Sequence, residues 1–539
     1  MTDADQFDTD FLVIGSGCAA LTAALRASSG GLGVTIMEKA ELAGGASAMS
    51  GGGIWIPANH HARAAGYRDS PEEALDYLRA TAPAGWHSTE DLLWRRFVST
   101  APAMLEFVES NSPLRFALTD EPDPMAESPG GKEIGRMVSP RPLSRRMLGP
   151  LAGKVRRSTL PHILTYQEMI GQDPYHHPVL TGLRLLPALA RRLISNSAGQ
   201  GNALVVGLLK ACLDRSCRLM LATRATSLLV DDRSGRVAGA SALQGGTPLT
   251  IRARRGVLLA TGGFEWNAEL VARHFGGPFE RIGSPRSNEG DGQLMALAVG
   301  ARLERMDQAN IYPLLPATYQ GKPSGLPVTF QAEPHAIVVD RDGRRFVSEL
   351  SYNLGEALDR RDPTTGEPLH LPAHVIADAR FMQRSGPFRW YSRQAKDWIV
   401  EAGSLADIAR RIGVPAANLE ATVDRFNGSC DAGRDADFRR GESVWERYKS
   451  GHGTALGKIE KPPFYAMSVN RSTVGTKGGA RTNDKAQALR ADDSVIEGLF
   501  CAGNVMANPI GTRAVGAGTT LGPCMTWGFV AAETVLEGL

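Results

Sequence analysis

The sequence predicts an α/β fold in which a domain built on parallel strands is interrupted by an inserted α+β domain. Three observations predict it: a strand–turn–helix–strand unit near the start, apolar strands running into glycine turns far downstream, and a long stretch between them with different patterning. At 539 residues the chain is too long for one hydrophobic core. The expected division is residues 1–275 and 471–539 for the first domain and 276–470 for the insert.

The first unit opens with Phe11-Leu12-Val13-Ile14, an apolar run that reads as a buried parallel strand. Gly15-Ser16-Gly17-Cys18-Ala19-Ala20 follows, then a helical stretch, and a second strand, Val34-Thr35-Ile36-Met37, ending at Glu38-Lys39. A strand before the glycines, a helix after them and an acid at the end of the second strand together specify a Rossmann-like dinucleotide site. Gly15 permits the tight turn, Gly17 lets backbone approach a pyrophosphate, and Ala20 keeps the helix close to the sheet. Glu38 is placed to accept hydrogen bonds from a ribose.

A second glycine loop, Gly44-Gly45-Ala46-Ser47-Ala48-Met49-Ser50-Gly51-Gly52-Gly53, exceeds what a nicotinamide site needs. A further strand, Gly256-Val257-Leu258-Leu259-Ala260, runs into Thr261-Gly262-Gly263. Near the end stand Gly498-Leu499-Phe500-Cys501-Ala502-Gly503-Asn504 and Gly516-Ala517-Gly518-Thr519-Thr520-Leu521-Gly522. These segments converge on one long cofactor, FAD, with Ala225 and Asp291 assigned to the same site. The last glycine turn opens a helix over residues 520–536, whose N-terminal dipole would favour negative charge on a reduced flavin ring.

Residues 276–470 carry an alternating strand, Ala336-Ile337-Val338-Val339-Asp340, a turn at Asp342-Gly343, and helical patterning over 405–412 and 419–426. Between Lys132 and Arg192, eleven Lys/Arg face three Asp/Glu, interleaved with Met147, Leu148, Leu151, Ile163, Leu164, Leu185, Leu186 and Leu189. Two readings of that stretch stay open: a solvated insertion lining the site's mouth, and a basic amphipathic surface making peripheral contact with an anionic membrane.

The formal net charge of +3 argues against a nucleic-acid binder. Six scattered cysteines lack metal-ligand or CxxC spacing and read as buried thiols of a reducing cytosol; no metal site is expected. The acidic start, MTDADQFDTD, is unlike a secretory signal, and no apolar run reaches membrane-spanning length, so a cytoplasmic or peripheral protein is expected.

On these motifs the chain resembles the 3-ketosteroid dehydrogenase branch of the fumarate reductase/succinate dehydrogenase flavoprotein superfamily. Pro129-Gly130-Gly131-Lys132, Gly290-Asp291-Gly292, Gly343-Arg344-Arg345-Phe346-Val347, Pro462-Pro463-Phe464-Tyr465-Ala466 and Gly475-Thr476-Lys477-Gly478-Gly479 extend the resemblance over nearly the whole length. It implies an FAD-binding domain of the GR2 type and an enzyme that desaturates the bond next to a ketone of a 3-ketosteroid or related cyclic substrate, passing electrons to an external acceptor. A tyrosine after the Arg-Arg-Phe motif acts as base in the family; Tyr352 matches it. The family's backbone N–H donor to the ketone maps to Gly518. The tyrosine that partners this donor maps to Ala514, and a third family tyrosine falls near Met125. Thr512, Arg513 or Tyr465 would then replace the donor, or the substrate differs. Arg513 also opens the alternative of an unsaturated-acid reductase, with Arg380, Arg384 and His335 as its further residues; a silent flavin-binding module is a third. The second glycine loop lacks a histidine, which implies noncovalent FAD.

Overall fold

The computed structural model describes residues 5–451 and 454–538. Its core is an eight-stranded sheet. In chain order the elements that matter for the site are β1 (Asp5–Ile14), α1 (Cys18–Ser29), β2 (Val34–Met37), α2 (Gln200–Asp214), β3 (Arg218–Met220), β4 (Thr223–Val230), β5 (Val237–Gln244), β6 (Thr247–Leu259), β7 (Gln487–Leu489), β8 (Val495–Cys501) and α3 (Leu521–Glu537). Five strands, β8, β6, β1, β2 and β3, lie side by side and parallel, while β7 adds antiparallel to β8. β4 and β5 form an antiparallel extension on β6.

β1 is longer than the apolar run that announces it. Its first half is largely polar and pairs with an early, alternating part of β6, from Asp5 against Leu249 to Thr9 against Ala253. Phe11 to Ile14 form its one run of consecutive buried residues, in the core that also takes in α1 and α3. α1 and α3 run in close contact: a Cβ on Gly528 would stand 2.2 Å from the Ala19 carbonyl oxygen. That position in α3 admits no side chain.

Within 276–470, strands Ala336–Val339, His374–Ala377, Phe464–Ser468 and Ile399–Ala402 form a four-stranded antiparallel sheet in that spatial order. One face packs on Phe330, Phe381 and Phe388, the other on helices Leu405–Ile412 and Ala416–Asp431 through Ile408, Leu419 and Phe426. The second helix extends beyond the predicted 419–426 because its apolar positions continue on one face.

The basic stretch contains helix Pro178–Ser195. It leaves Val179, Leu183, Leu186, Leu193 and Ile194 exposed, each by more than half. Among the described residues no helix is long and apolar enough to cross a membrane.

Candidate active site

The two glycine loops meet over the sheet. Gly15 adopts φ +116°, and a Cβ there would stand 2.2 Å from the Ala260 carbonyl oxygen, so the β1 turn can pass the end of β6 only without a side chain. Gly17 caps α1 in extended conformation with no side-chain cap. The Cys18 N–H is taken by Ser47 Oγ at 3.0 Å. The N–H groups of Ala19 and Ala20 meet no protein acceptor among the described residues, leaving the helix dipole and two donors for a phosphate.

Ser16 joins the loops. Its hydroxyl donates to Glu38 Oε2 at 2.6 Å and accepts the Gly44 N–H at 2.9 Å. Glu38 Oε1 accepts the Ala40 N–H at 2.9 Å, and the Glu38 carbonyl accepts the Thr223 N–H. The buried carboxylate is thereby fixed at the entry of β4, two residues before Ala225. Beside it Lys39 bonds Glu289 and Asp291 at 2.7 Å each, and Asp291 also holds Arg224. The second loop rests on α2: Gly201 N–H donates to the Ser50 carbonyl, and a Cβ on Gly52 would stand 2.4 Å from Gln200.

Farther along, Gln293 Nε2 reaches the carbonyls of Gly262, Gly478 and Asn504, drawing three chain segments together. Thr261 Oγ1 is buried without a partner. At the α3 end, the N–H groups of Gly518, Thr520 and Leu521 have no protein acceptor among the described residues, while Thr519 Oγ1 turns inward to the Gly516 carbonyl. An orphaned hydroxyl, two sets of free N–H donors and a floor of glycines fit an extended dinucleotide.

Tyr352 is positioned by charged groups buried behind it. Arg345 makes paired hydrogen bonds to Glu349 and to Asp435, all between 2.9 and 3.0 Å, and Arg440 adds a third contact to Glu349. This network ties the Arg-Arg-Phe turn to the loop before Tyr352. Removing one partner of so buried a network costs ~3–5 kcal/mol. The Tyr352 ring then stands edge-on to Trp445 at 4.7 Å. Its neighbour Asn353 clamps Ala514 from both sides, donating to its carbonyl at 3.1 Å and accepting its N–H at 2.9 Å. The tyrosine is thus held beside the segment that leads to Gly518. Gly518 itself has φ +86° and sits against Gly53 and Ile54.

Residues 10–521 match the family model described as FAD binding domain. The chain belongs to this family. It is 35% identical to a 4-oxocyclohexanecarboxylate 2-dehydrogenase of Sinomonas cyclohexanicum over 98% of this chain and 92% of that protein. It is also 35% identical to a 3-oxosteroid 1-dehydrogenase of Mycolicibacterium smegmatis, over 97% and 96% of the two chains. Among solved structures, the 3-ketosteroid delta1-dehydrogenase of Sterolibacterium denitrificans in complex with 1,4-androstadiene-3,17-dione superposes with a TM-score of 0.88 at 32% identity, covering 99% of this chain and 100% of that one. A flavocytochrome c3 fumarate reductase shares the fold, at 22% identity and a TM-score of 0.65, with 98% of this chain and 78% of that one covered. The protein is an FAD-dependent oxidoreductase of the 3-ketosteroid dehydrogenase-like branch.

The other candidate residues of this flavoprotein make contacts of their own. Arg513 forms a fork with Glu356, 2.9 Å from Nε and 2.6 Å from Nη2, so its charge is already compensated. Thr512 Oγ1 accepts the Ala309 N–H. Tyr465 lies in the four-stranded sheet opposite Ala377 and Glu401. Arg380 is bound to Asp378, Arg384 to Glu333, and His335 Nδ1 faces the Lys458 carbonyl.

The structure adds residues that no local motif marks. Tyr166 packs its ring beneath Gly51 and Gly53 and donates its hydroxyl to the buried Glu121 at 2.7 Å. Tyr77 bridges the chain at Met125, accepting its N–H at 3.3 Å and donating to the Val515 carbonyl at 2.9 Å. Burial pushes the Tyr352 hydroxyl well above its ordinary range, and the charge of Glu121 pushes it further, with Tyr312, Tyr77 and Asp123 adding to the effect. Glu121 is itself raised by burial, against the pull of Lys449 and Tyr166.

Proposed function

We propose that this flavoprotein desaturates the carbon–carbon bond next to the ketone of an uncharged cyclic ketone, a 3-ketosteroid or a related ring. The observation that carries the reading is the clamp of Asn353 on Ala514, which sets Tyr352 next to the segment bearing the free Gly518 N–H. Tyr352 takes the acidic proton from the α-carbon. Gly518 N–H donates to the ketone oxygen as negative charge develops there, a term of ~3–4 kcal/mol for one well-placed donor. FAD, bound noncovalently in this reading, would supply the hydride acceptor for the β-carbon, with an external acceptor for its electrons. Arg513 is already held by Glu356 and the Thr512 hydroxyl accepts the Ala309 N–H, so in this reading the ketone is assigned to the Gly518 N–H.

Compensation of Arg513 by Glu356, together with the buried Glu121 near Tyr352, favours a neutral substrate over a carboxylated one and weighs against the unsaturated-acid reductase. Anaerobic mixing of the yellow protein with 3-ketosteroids and with 4-oxocyclohexanecarboxylate, followed at the oxidised-flavin band, tests this. Bleaching by a neutral ketone is expected. Bleaching by the carboxylated ring alone would overturn the substrate reading, and a flavin silent to every ketone would favour the binding-module alternative.

The helix Pro178–Ser195 supports peripheral attachment of this enzyme to an anionic bilayer. Its exposed Val179, Leu183, Leu186 and Ile194 are accompanied by exposed Arg184 and Arg191, the combination that seats a helix at a lipid interface. Co-sedimentation with phosphatidylserine vesicles should exceed that with phosphatidylcholine vesicles and fall when Leu183 and Leu186 are changed to Ser. Equal recovery with both lipids would leave the helix a solvated insert.

A further inference from the structure

His60 and His61 begin the short helix His60–Ala64, whose buried N-cap, Asn59, accepts the Ala62 N–H. Opposite them stands Glu109, in the last turn of helix His87–Asn111. Both imidazoles converge on one oxygen: Nε2 of His60 lies 2.7 Å and Nε2 of His61 2.9 Å from Glu109 Oε2. The rings are 4.1 Å apart between centroids. Glu109 Oε1 accepts the Phe116 N–H at 2.8 Å, which fixes the carboxylate.

With both rings neutral, protons account poorly for this arrangement. Two neutral rings can both donate to Oε2 only if each carries its hydrogen on Nε2. That leaves His60 Nδ1 as a bare lone pair, and it is buried without a partner. A cation at the point of convergence reverses the assignment. The Nε2 lone pairs then face the ion, and the His60 hydrogen moves to Nδ1, which looks toward Glu106 Oε1 at 3.8 Å. A carboxylate behind a ligating histidine is a common way to fix its tautomer.

We propose that His60, His61 and Glu109 form a binding site for a divalent transition-metal ion, with Zn²⁺ the ion that two imidazoles and one carboxylate suit best. The three ligand atoms lie within 4.8 Å of one another, so small side-chain movements bring each to bonding distance. Partial exposure of both histidines leaves the fourth position to water. The expectation of no metal site rests on the spacing of the cysteines and does not touch these residues, of which Glu109 is 48 positions from His61. The site lies outside the Tyr352 cluster and has no part in hydride transfer. It fastens the segment that follows Trp55, which packs under Gly516, to the long helix His87–Asn111.

The test uses the FAD-loaded protein after dialysis against a chelator. Zn²⁺ is titrated in competition with a chromophoric chelator, and Co²⁺ is added separately to read ligand-field bands. One saturable equivalent and Co²⁺ bands of four-coordinate intensity are expected. His61→Ala and Glu109→Gln should each weaken binding at least ~10-fold, and the exposed Glu106→Gln should weaken it less. Flavin absorbance reports that each variant remains folded. Absence of a saturable equivalent in the wild type, or affinity unchanged in folded His61→Ala, would overturn the proposal.

Discussion

Tyr352→Phe should lower kcat by ~10²–10⁴-fold, the range expected when a general base is removed, and leave the flavin spectrum unchanged. The ring remains edge-on to Trp445, so the substitution removes an oxygen and little packing. A rate within threefold of the wild type would move the base elsewhere. The pH profile gives a sharper reading. Because burial and then Glu121 hold the Tyr352 hydroxyl well above its ordinary range, it is protonated at neutral pH. Turnover that requires its deprotonated form should therefore rise with pH into the alkaline range. Glu121→Gln removes a negative charge that raises this pKa, so the alkaline limb should shift toward lower pH. A limb in the same place would mean that some other group titrates.

Gly518→Ala should reduce kcat/KM by ~10²–10³-fold and weaken flavin retention on gel filtration. The added Cβ would stand 2.6 Å from both the Gly53 carbonyl oxygen and the Ile54 nitrogen, on a residue with φ +86°. Strain of this kind costs ~1–3 kcal/mol. The turn can relieve it only by moving away from the second glycine loop, which also displaces the N–H assigned to the ketone and those of Thr520 and Leu521. Full activity with firmly bound flavin would show that the turn tolerates a side chain and that its geometry is not what holds the ketone.

The backbone turns of the candidate cofactor site are legible in the sequence because glycine is required at them. Gly15, Gly52 and Gly518 occupy positive-φ positions where chain segments nearly touch, and such positions leave their mark directly on residue identity. Glu38 was legible for a similar reason, standing at the end of a strand whose length fixes where its side chain emerges. The substrate side was less legible. Tyr166 reaches Glu121 across 45 residues, from inside a stretch whose composition suggested only charge and amphipathicity. The pairing of Arg513 with Glu356 spans 157 residues, and nothing near either residue announces it. Local pattern also understated β1, since half of that strand is polar and is recognised only through its register with β6.

The central sheet has a consequence for how the protein is made. β8 supplies an outer parallel strand against β6, and α3 covers α1 and the buried end of β1, yet both elements belong to the last forty-five residues of the chain. Until they leave the ribosome, α1 is covered only in part, by α2, and the free N–H groups of Gly518, Thr520 and Leu521 do not exist. The glycine turn after β1 therefore emerges well before the rest of its site. A chain broken off before Val495 would lack β8 and α3 and would present its nucleotide fold with that flank open to aggregation.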